Sequence, residues 1–167
     1  MKIEGAVALV TGGNRGLGAA LCAALLERGA AKVYAGAREP ASVTMDGVVP
    51  VRLDVTSDAD IAAAVERCGD VTLLINNAGI LTGTAAMADD PEGKGRAEFD
   101  TNVFGPLAVT RAFAPILAAN GGGAIVNVLS VLSWFSTPGS ALYCASKAAA
   151  WSLTNATRRT SSPRAPT

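Results

Sequence analysis

Histidine is absent from all 167 residues. Its absence excludes a Ser-His-Asp triad, a Cys-His pair and an HExxH zinc site. Cysteine is scarce: Cys22, Cys68 and Cys144 are too far apart for a C-x-x-C pair, and an odd count does not make a disulfide framework. That usage predicts a reducing, cytoplasmic setting. Neither sign of charge is in excess, with fourteen Lys plus Arg against fourteen Asp plus Glu. Without a concentrated basic face, nucleic acid is not expected as the main partner, which leaves a small molecule. Half the residues are apolar and 17% are charged, yet no apolar run reaches the roughly 20 residues that span a bilayer. The opening MKIEGAVALV places Glu4 and Gly5 directly before a short apolar run and lacks the basic region and cleavage site of a signal peptide. A soluble chain, neither exported nor membrane-bound, is the expectation. The length suits one domain with a core that needs no disulfide or metal.

What is present is an alternation. Short apolar runs rich in β-branched residues, Ala6 to Thr11, Lys32 to Ala37, Val48 to Asp54, Val71 to Asn76 and Ala124 to Leu129, are separated by stretches with helical spacing. The runs are apolar on both alternations, as strands covered on both faces should be. Leu17, Ala20, Leu21, Ala24 and Leu25 follow one helical stripe, and Ile61, Ala64, Val65 and Cys68 another. A third helix is predicted from about Glu98 to Ala119, bent by Pro106 and Pro115, and a fourth from about Ala141 to Thr157 with Ala145, Ala148, Ala149 and Ser152 facing inward. This is the pattern of βαβ units. The polar segment Asp89 to Arg96 reads as a surface loop. The stretch Arg158 to Thr167 has three arginines, two prolines and no large apolar residue, and is expected to be disordered. The ordered domain is thus predicted over residues 1–157, and the tail over 158–167.

Two segments carry chemistry. The first strand runs into Thr11-Gly12-Gly13-Asn14-Arg15-Gly16-Leu17-Gly18, where a helix pattern begins at once. Such glycines let the backbone turn tightly and approach a pyrophosphate, whose charge meets the helix N-terminus. A glycine turn that binds nothing, or the similar turn of an adenosyl-methionine methyltransferase, fits this stretch too. The missing Gly-Lys-Ser/Thr excludes a P-loop. In the second segment, Tyr143-Cys144-Ala145-Ser146-Lys147 places a phenol and an ammonium four apart on one helix face. An ammonium favours an ionised phenol, which equips a tyrosine to exchange a proton with a substrate oxygen. Alone, the pair reads first as an amphipathic surface pair, since Tyr-x-x-x-Lys is a common spacing.

The order and spacing of the glycine turn, Asn76-Asn77-Ala78-Gly79, Asn102, Ser130 and the Tyr143/Lys147 pair, with Ser130 thirteen residues before Tyr143, resemble the short-chain dehydrogenase/reductase (SDR) family. The resemblance covers about Gly5 to Asn155. It implies a Rossmann-like, doubly wound α/β fold with a parallel sheet of strand order 3-2-1-4-5. It also implies a nicotinamide-dependent oxidoreductase acting on a carbonyl or alcohol. Tyr143 would be the acid/base, Ser130 would orient the substrate oxygen, Lys147 would hold the nicotinamide ribose, and Asn102 would anchor a water. Gly12, Asn14, Arg15, Gly16, Leu17 and Gly18 would surround the pyrophosphate and adenosine ribose. Asp54 and Val55 would contact the adenine, while Asn77, Ala78 and Gly79 would back the cofactor. An NAD site usually places an acidic residue about 20 residues past the glycines. Here that place is taken by Ala37-Arg38, and Arg38 with Arg15 suits a 2′-phosphate, so NADP is expected over NAD.

Trp134, Phe135 and Leu132 lie between the proposed serine and tyrosine, and could line an apolar substrate pocket or simply cover the helix. The family's chain continues into two further strands. This chain reads as a truncated or frame-altered product lacking them, with an exposed edge at the fifth strand. A catalytically incompetent dinucleotide-binding remnant is therefore the alternative to an active enzyme. The apolar faces of the Asn102 and Tyr143 helices predict a homo-oligomer, a dimer first.

Overall fold

Strands covered on both faces are apolar on both alternations rather than at every second position, and the five predicted runs form the sheet, the last of them only partly covered, with Val126 exposed. The computed structural model describes residues 1–89 and 93–161. The chain divides into two compact units, Met1–Gly79 with Phe104–Val128, and Ile80–Val103 with Leu129–Thr167.

The first unit holds the sheet. Its strands are β1 (Val7–Thr11), β2 (Lys32–Ala37), β3 (Val49–Arg52), β4 (Leu73–Asn76) and β5 (Ala124–Asn127). Every neighbouring pair is parallel and the order is β3-β2-β1-β4-β5, as the family resemblance implies. Leu9 of β1 lies in register between Tyr34 and Leu74. These three point to one face, where Ile61 and Ala64 of α2 (Asp58–Arg67) and Val109, Phe113 and Leu117 of α4 (Gly105–Ala119) complete the core. The next residues along the strands, Ala8, Val10, Val33, Ala35, Leu73 and Ile75, point to the other face. There Cys22 and Leu25 of α1 (Gly16–Glu27) cover them. Sequential strands run outward from β1 on both sides, so the order reverses between β1 and β4. In open parallel sheets such a reversal leaves a crevice beyond the strand C-termini where ligands bind.

α2 starts at a capped N-terminus: the Ser57 side chain accepts from the Asp60 N–H, and Asp58 and Asp60 sit in the positively polarised first turn. The inward face of α1 departs from the expected stripe. Gly18, Cys22 and Leu25 are buried while Leu17 is 58% exposed, because the contact of Gly18 with the turn before it sets the rotation of the helix.

In the second unit, α3 (Lys94–Phe99) leads into a π-helical turn at Asp100–Phe104. The predicted third helix therefore begins earlier than Glu98. Its change of winding falls at that turn rather than at Pro106, which occupies the first turn of α4 where a missing N–H costs nothing. The expected loop from Asp89 to Arg96 is corrected in part, since Lys94–Arg96 are helical; residues 90–92 lie outside the described residues. The stretch Lys94–Ala119 is, by length and composition, apolar enough to cross a membrane, but Val109, Phe113 and Leu117 spend that apolarity on the core.

α5 (Ala141–Ser161) carries the Tyr143 segment. It runs past Thr157 into the predicted tail, because Arg, Arg, Thr and Ser are all compatible with a helix and the first proline is Pro163. Residues 162–167 lie outside the described residues. The inward face also differs from the expected alanine stripe: Cys144, Ser146 and Lys147 are buried, whereas Ala145 and Ser152 are exposed.

Candidate active site

In the first unit the turn after β1 is built from glycines that have no substitute. Gly12 and Gly16 have φ of +66° and +53°, a region that strains residues with a Cβ. A Cβ on Gly18 would lie 2.0 Å from the Gly12 carbonyl oxygen and 2.6 Å from Asn77 Nδ2. α1 therefore approaches the strand turn at a distance only a glycine allows. Thr11, fully buried, ties this turn to the one after β4: its Oγ1 accepts from the N–H groups of Asn77 and Ala78, both at 3.0 Å. Asn77 returns two bonds, its Nδ2 donating to the carbonyls of Thr11 at 2.9 Å and Gly12 at 3.2 Å.

No side chain caps the N-terminus of α1 and no acidic residue lies in its first turn, so its dipole favours an anion there. Arg15, Gly16 and Leu17 are exposed at that end, and Asn14 donates to Ser42 Oγ at 3.0 Å.

Arg38 is exposed just beyond β2, and neither it nor Arg15 is paired with a carboxylate among the described residues. Asp54 Oδ1 accepts from the Thr56 N–H at 2.9 Å and hydroxyl at 2.7 Å. Partial burial pushes the Asp54 carboxyl up, but these bonds and the Arg38 and Arg52 charges outweigh it and hold the group below the usual carboxylate range. Val55 is buried in the core, where its Cγ2 lies 2.7 Å from the position of a Cβ on Gly105. The Val55 side chain is thus committed to packing, which leaves its backbone for any ligand. Ala78 is half-buried and Gly79 exposed.

In the second unit Asn102 is buried within the π-helical turn, and its amide is gripped on all sides. Oδ1 accepts from the Ile80 N–H at 2.9 Å, while Nδ2 donates to the Ile80 carbonyl at 2.8 Å and to Ser146 Oγ at 3.1 Å. Ser146 Oγ in turn donates to the Tyr143 carbonyl at 2.7 Å. Ser130 caps a short 3₁₀ turn, Val131–Ser133, by accepting from the Leu132 N–H at 3.1 Å, and this turn packs on α5. Tyr143 is half-buried, and Lys147 Nζ sits 5.8 Å from the centroid of its ring. Burial pulls the Lys147 ammonium below the ordinary lysine range.

A model of the short chain dehydrogenase family matches residues 6–165. The chain belongs to that family. A short-chain dehydrogenase from Burkholderia cenocepacia J2315, solved in complex with NADP, is 48% identical and superposes with a TM-score of 0.91, over 96% of this chain and 68% of that one. The 2,5-dichloro-2,5-cyclohexadiene-1,4-diol dehydrogenase LinX of Sphingobium indicum is 38% identical over 165 residues, covering 89% of this chain and 64% of its own length. An NADP-dependent 3-hydroxy acid dehydrogenase of Schizosaccharomyces pombe is 30% identical over 95% of this chain and 66% of its own. The short chain dehydrogenase tazN of Aspergillus terreus is matched over 38% of its length, so the chain spans less than two thirds of these curated relatives.

Within the short-chain dehydrogenase fold, sequence reasoning missed Thr11 and Ser146 as site residues. Thr11 is marked by its place before the glycines. Nothing local marks Ser146, whose partner Asn102 is 44 positions away.

Proposed function

We propose that this chain is an NADP-dependent oxidoreductase that interconverts a carbonyl and an alcohol. The observation that carries the reading is Lys147, buried on α5 with its ammonium over the ring of Tyr143, in one unit with Ser130 and Asn102. Bound NADP would supply or accept the hydride.

Tyr143 is the acid/base, its hydroxyl exchanging a proton with the substrate oxygen. Ser130 Oγ donates to the same oxygen, where negative charge grows as the carbonyl is reduced, so two hydroxyl donors stabilise the transition state. Lys147 holds the nicotinamide ribose, and Asn102 anchors a water through the one acceptor position its Oδ1 has left. Gly12, Asn14, Arg15, Gly16, Leu17 and Gly18 hold the pyrophosphate and adenosine ribose, and Asn77, Ala78 and Gly79 back the cofactor. Asp54 and the Val55 backbone meet the adenine. The fit to a dinucleotide rests on the uncapped α1 N-terminus and on the open space beside Gly16, where no described atom lies within 4 Å of the position of a Cβ. NADP is chosen over NAD because Arg38 and Arg15 make no ion pair with a carboxylate among the described residues and can pair with a 2′-phosphate. The NADP complex of the Burkholderia relative supports that choice.

Trp134, at 68% exposure, and Phe135, at 53%, follow the proposed serine and suit an apolar substrate. The three cysteines are buried as free thiols, which agrees with a reducing, cytoplasmic setting. A homodimer through the α4 and α5 faces is the proposed assembly.

Initial rates with NADPH and a panel of ketones and aldehydes, measured beside a dinucleotide titration, test the reading. Tyr143→Phe should abolish turnover while leaving NADPH affinity within about twofold, since only the proton-transferring oxygen is lost. Dinucleotide binding without turnover in the unsubstituted chain would assign it to a binding module instead.

A further inference from the structure

Glu98 is fully buried on α3. Its Oε1 accepts from the Thr82 N–H at 2.6 Å and the Thr82 hydroxyl at 2.8 Å. Its Oε2 is equally buried and has no hydrogen-bond partner among the described residues. Buried polar atoms are nearly always paired, and each exception calls for a reason. An apolar side chain of similar volume would fill the space without desolvating a carboxyl, so stability does not explain a glutamate here. Its surroundings do.

Asn102, one helical turn further on, takes both backbone groups of Ile80, and Glu98 takes both donors of Thr82. The two side chains thus clamp one short loop. From Thr82 the connection continues: its hydroxyl lies 2.9 Å from that of Thr84, and the Thr84 carbonyl accepts from the Leu142 N–H at 3.4 Å. Leu142 is in the first turn of α5, where an N–H has no partner within the helix, and it directly precedes Tyr143. A Cβ on Gly83 would lie 3.8 Å from the Gly139 carbonyl oxygen, so the loop also backs the turn that leads into α5.

We propose that Glu98 is a positioning residue: through Thr82 and Thr84 it fixes where α5 begins and so where Tyr143 stands. The catalytic consequence rests on the reading of Tyr143 as acid/base.

Glu98→Leu, Glu98→Gln and Thr82→Val in the full chain test it. Thr82→Val keeps the backbone bond to Glu98 and removes only the hydroxyl link, which preserves a test if Glu98→Leu does not fold. Amide hydrogen exchange should accelerate about tenfold or more at Leu142 in Glu98→Leu and Thr82→Val, and stay unchanged over residues 148–153. Turnover should fall about tenfold with KM for NADPH within twofold. Glu98→Gln, which keeps an acceptor for Thr82, should recover most of both. Unchanged exchange at Leu142, equal acceleration throughout α5, or no recovery in Glu98→Gln overturns the proposal. If the unsubstituted chain turns over no substrate, the reading of Tyr143 fails while the exchange data still decide the role of Glu98.

Discussion

Replacing Gly18 with alanine adds one methyl group where the fold has no room for it. The new Cβ would stand 2.0 Å from the Gly12 carbonyl oxygen, 2.6 Å from Asn77 Nδ2 and 2.8 Å from the Gly12 carbonyl carbon. Two of these three atoms are backbone, so no rotamer change relieves the clash; α1 or the glycine turn must move. Overpacking of this kind costs about 1–3 kcal/mol, and backbone obstruction puts Gly18 at the upper end. Alanine returns about 1 kcal/mol of helix propensity, leaving a net loss of about 2 kcal/mol. For a chain of this size each kcal/mol moves the midpoint by about 2–4 °C, so thermal unfolding followed by circular dichroism should show Tm lower by about 4–8 °C. Displacing Gly12 and Asn77 also disturbs the proposed pyrophosphate cradle, so NADPH affinity should fall about tenfold or more. Gly69→Ala is the control, since its Cβ would find its nearest neighbour at 3.9 Å and should leave both measurements unchanged. A Gly18→Ala protein that melts with the unsubstituted chain and binds NADPH equally well would refute the close-approach reasoning.

Two further outcomes follow from the charges. Arg38→Asp should weaken NADPH more than NADH, because a guanidinium pairs with a phosphate far better than with a hydroxyl; equal losses in a titration of both would remove Arg38 from the 2′ position. Burial lowers the Lys147 pKa, so the folded chain releases this proton at lower pH than the unfolded chain, and the cost of the buried ammonium is full below the folded-state pKa and eases as pH rises toward the unfolded value near ~10.4. Lys147→Met should therefore raise Tm at neutral pH and flatten its rise as pH approaches the unfolded value; an unchanged pH slope in thermal unfolding would count against that cost.

The amino-acid sequence by itself determined the alternation of strands and helices, since burial on one or two faces imposes periods that can be read along the chain. Five strands appear within two residues of their predicted ends. The glycine turn and the Tyr143/Lys147 pair were legible for the same reason, because a βα turn and one helix face are local objects. The strand order came from the family resemblance, and β-pairing confirms it.

Tertiary structure alone decided which side of a helix faces inward. The close approach at Gly18 turns Leu17 outward, and α5 buries Cys144, Ser146 and Lys147 rather than the alanines. Only the folded chain brings Asn102 to Ser146, Thr11 to Asn77 and Ala78, and Lys32 to Asp70. Spacing records which residues share a face, whereas a hydrogen bond between residues tens of positions apart depends on where the crossovers return the chain. A methyl-sized gap likewise exists only once two backbones have met.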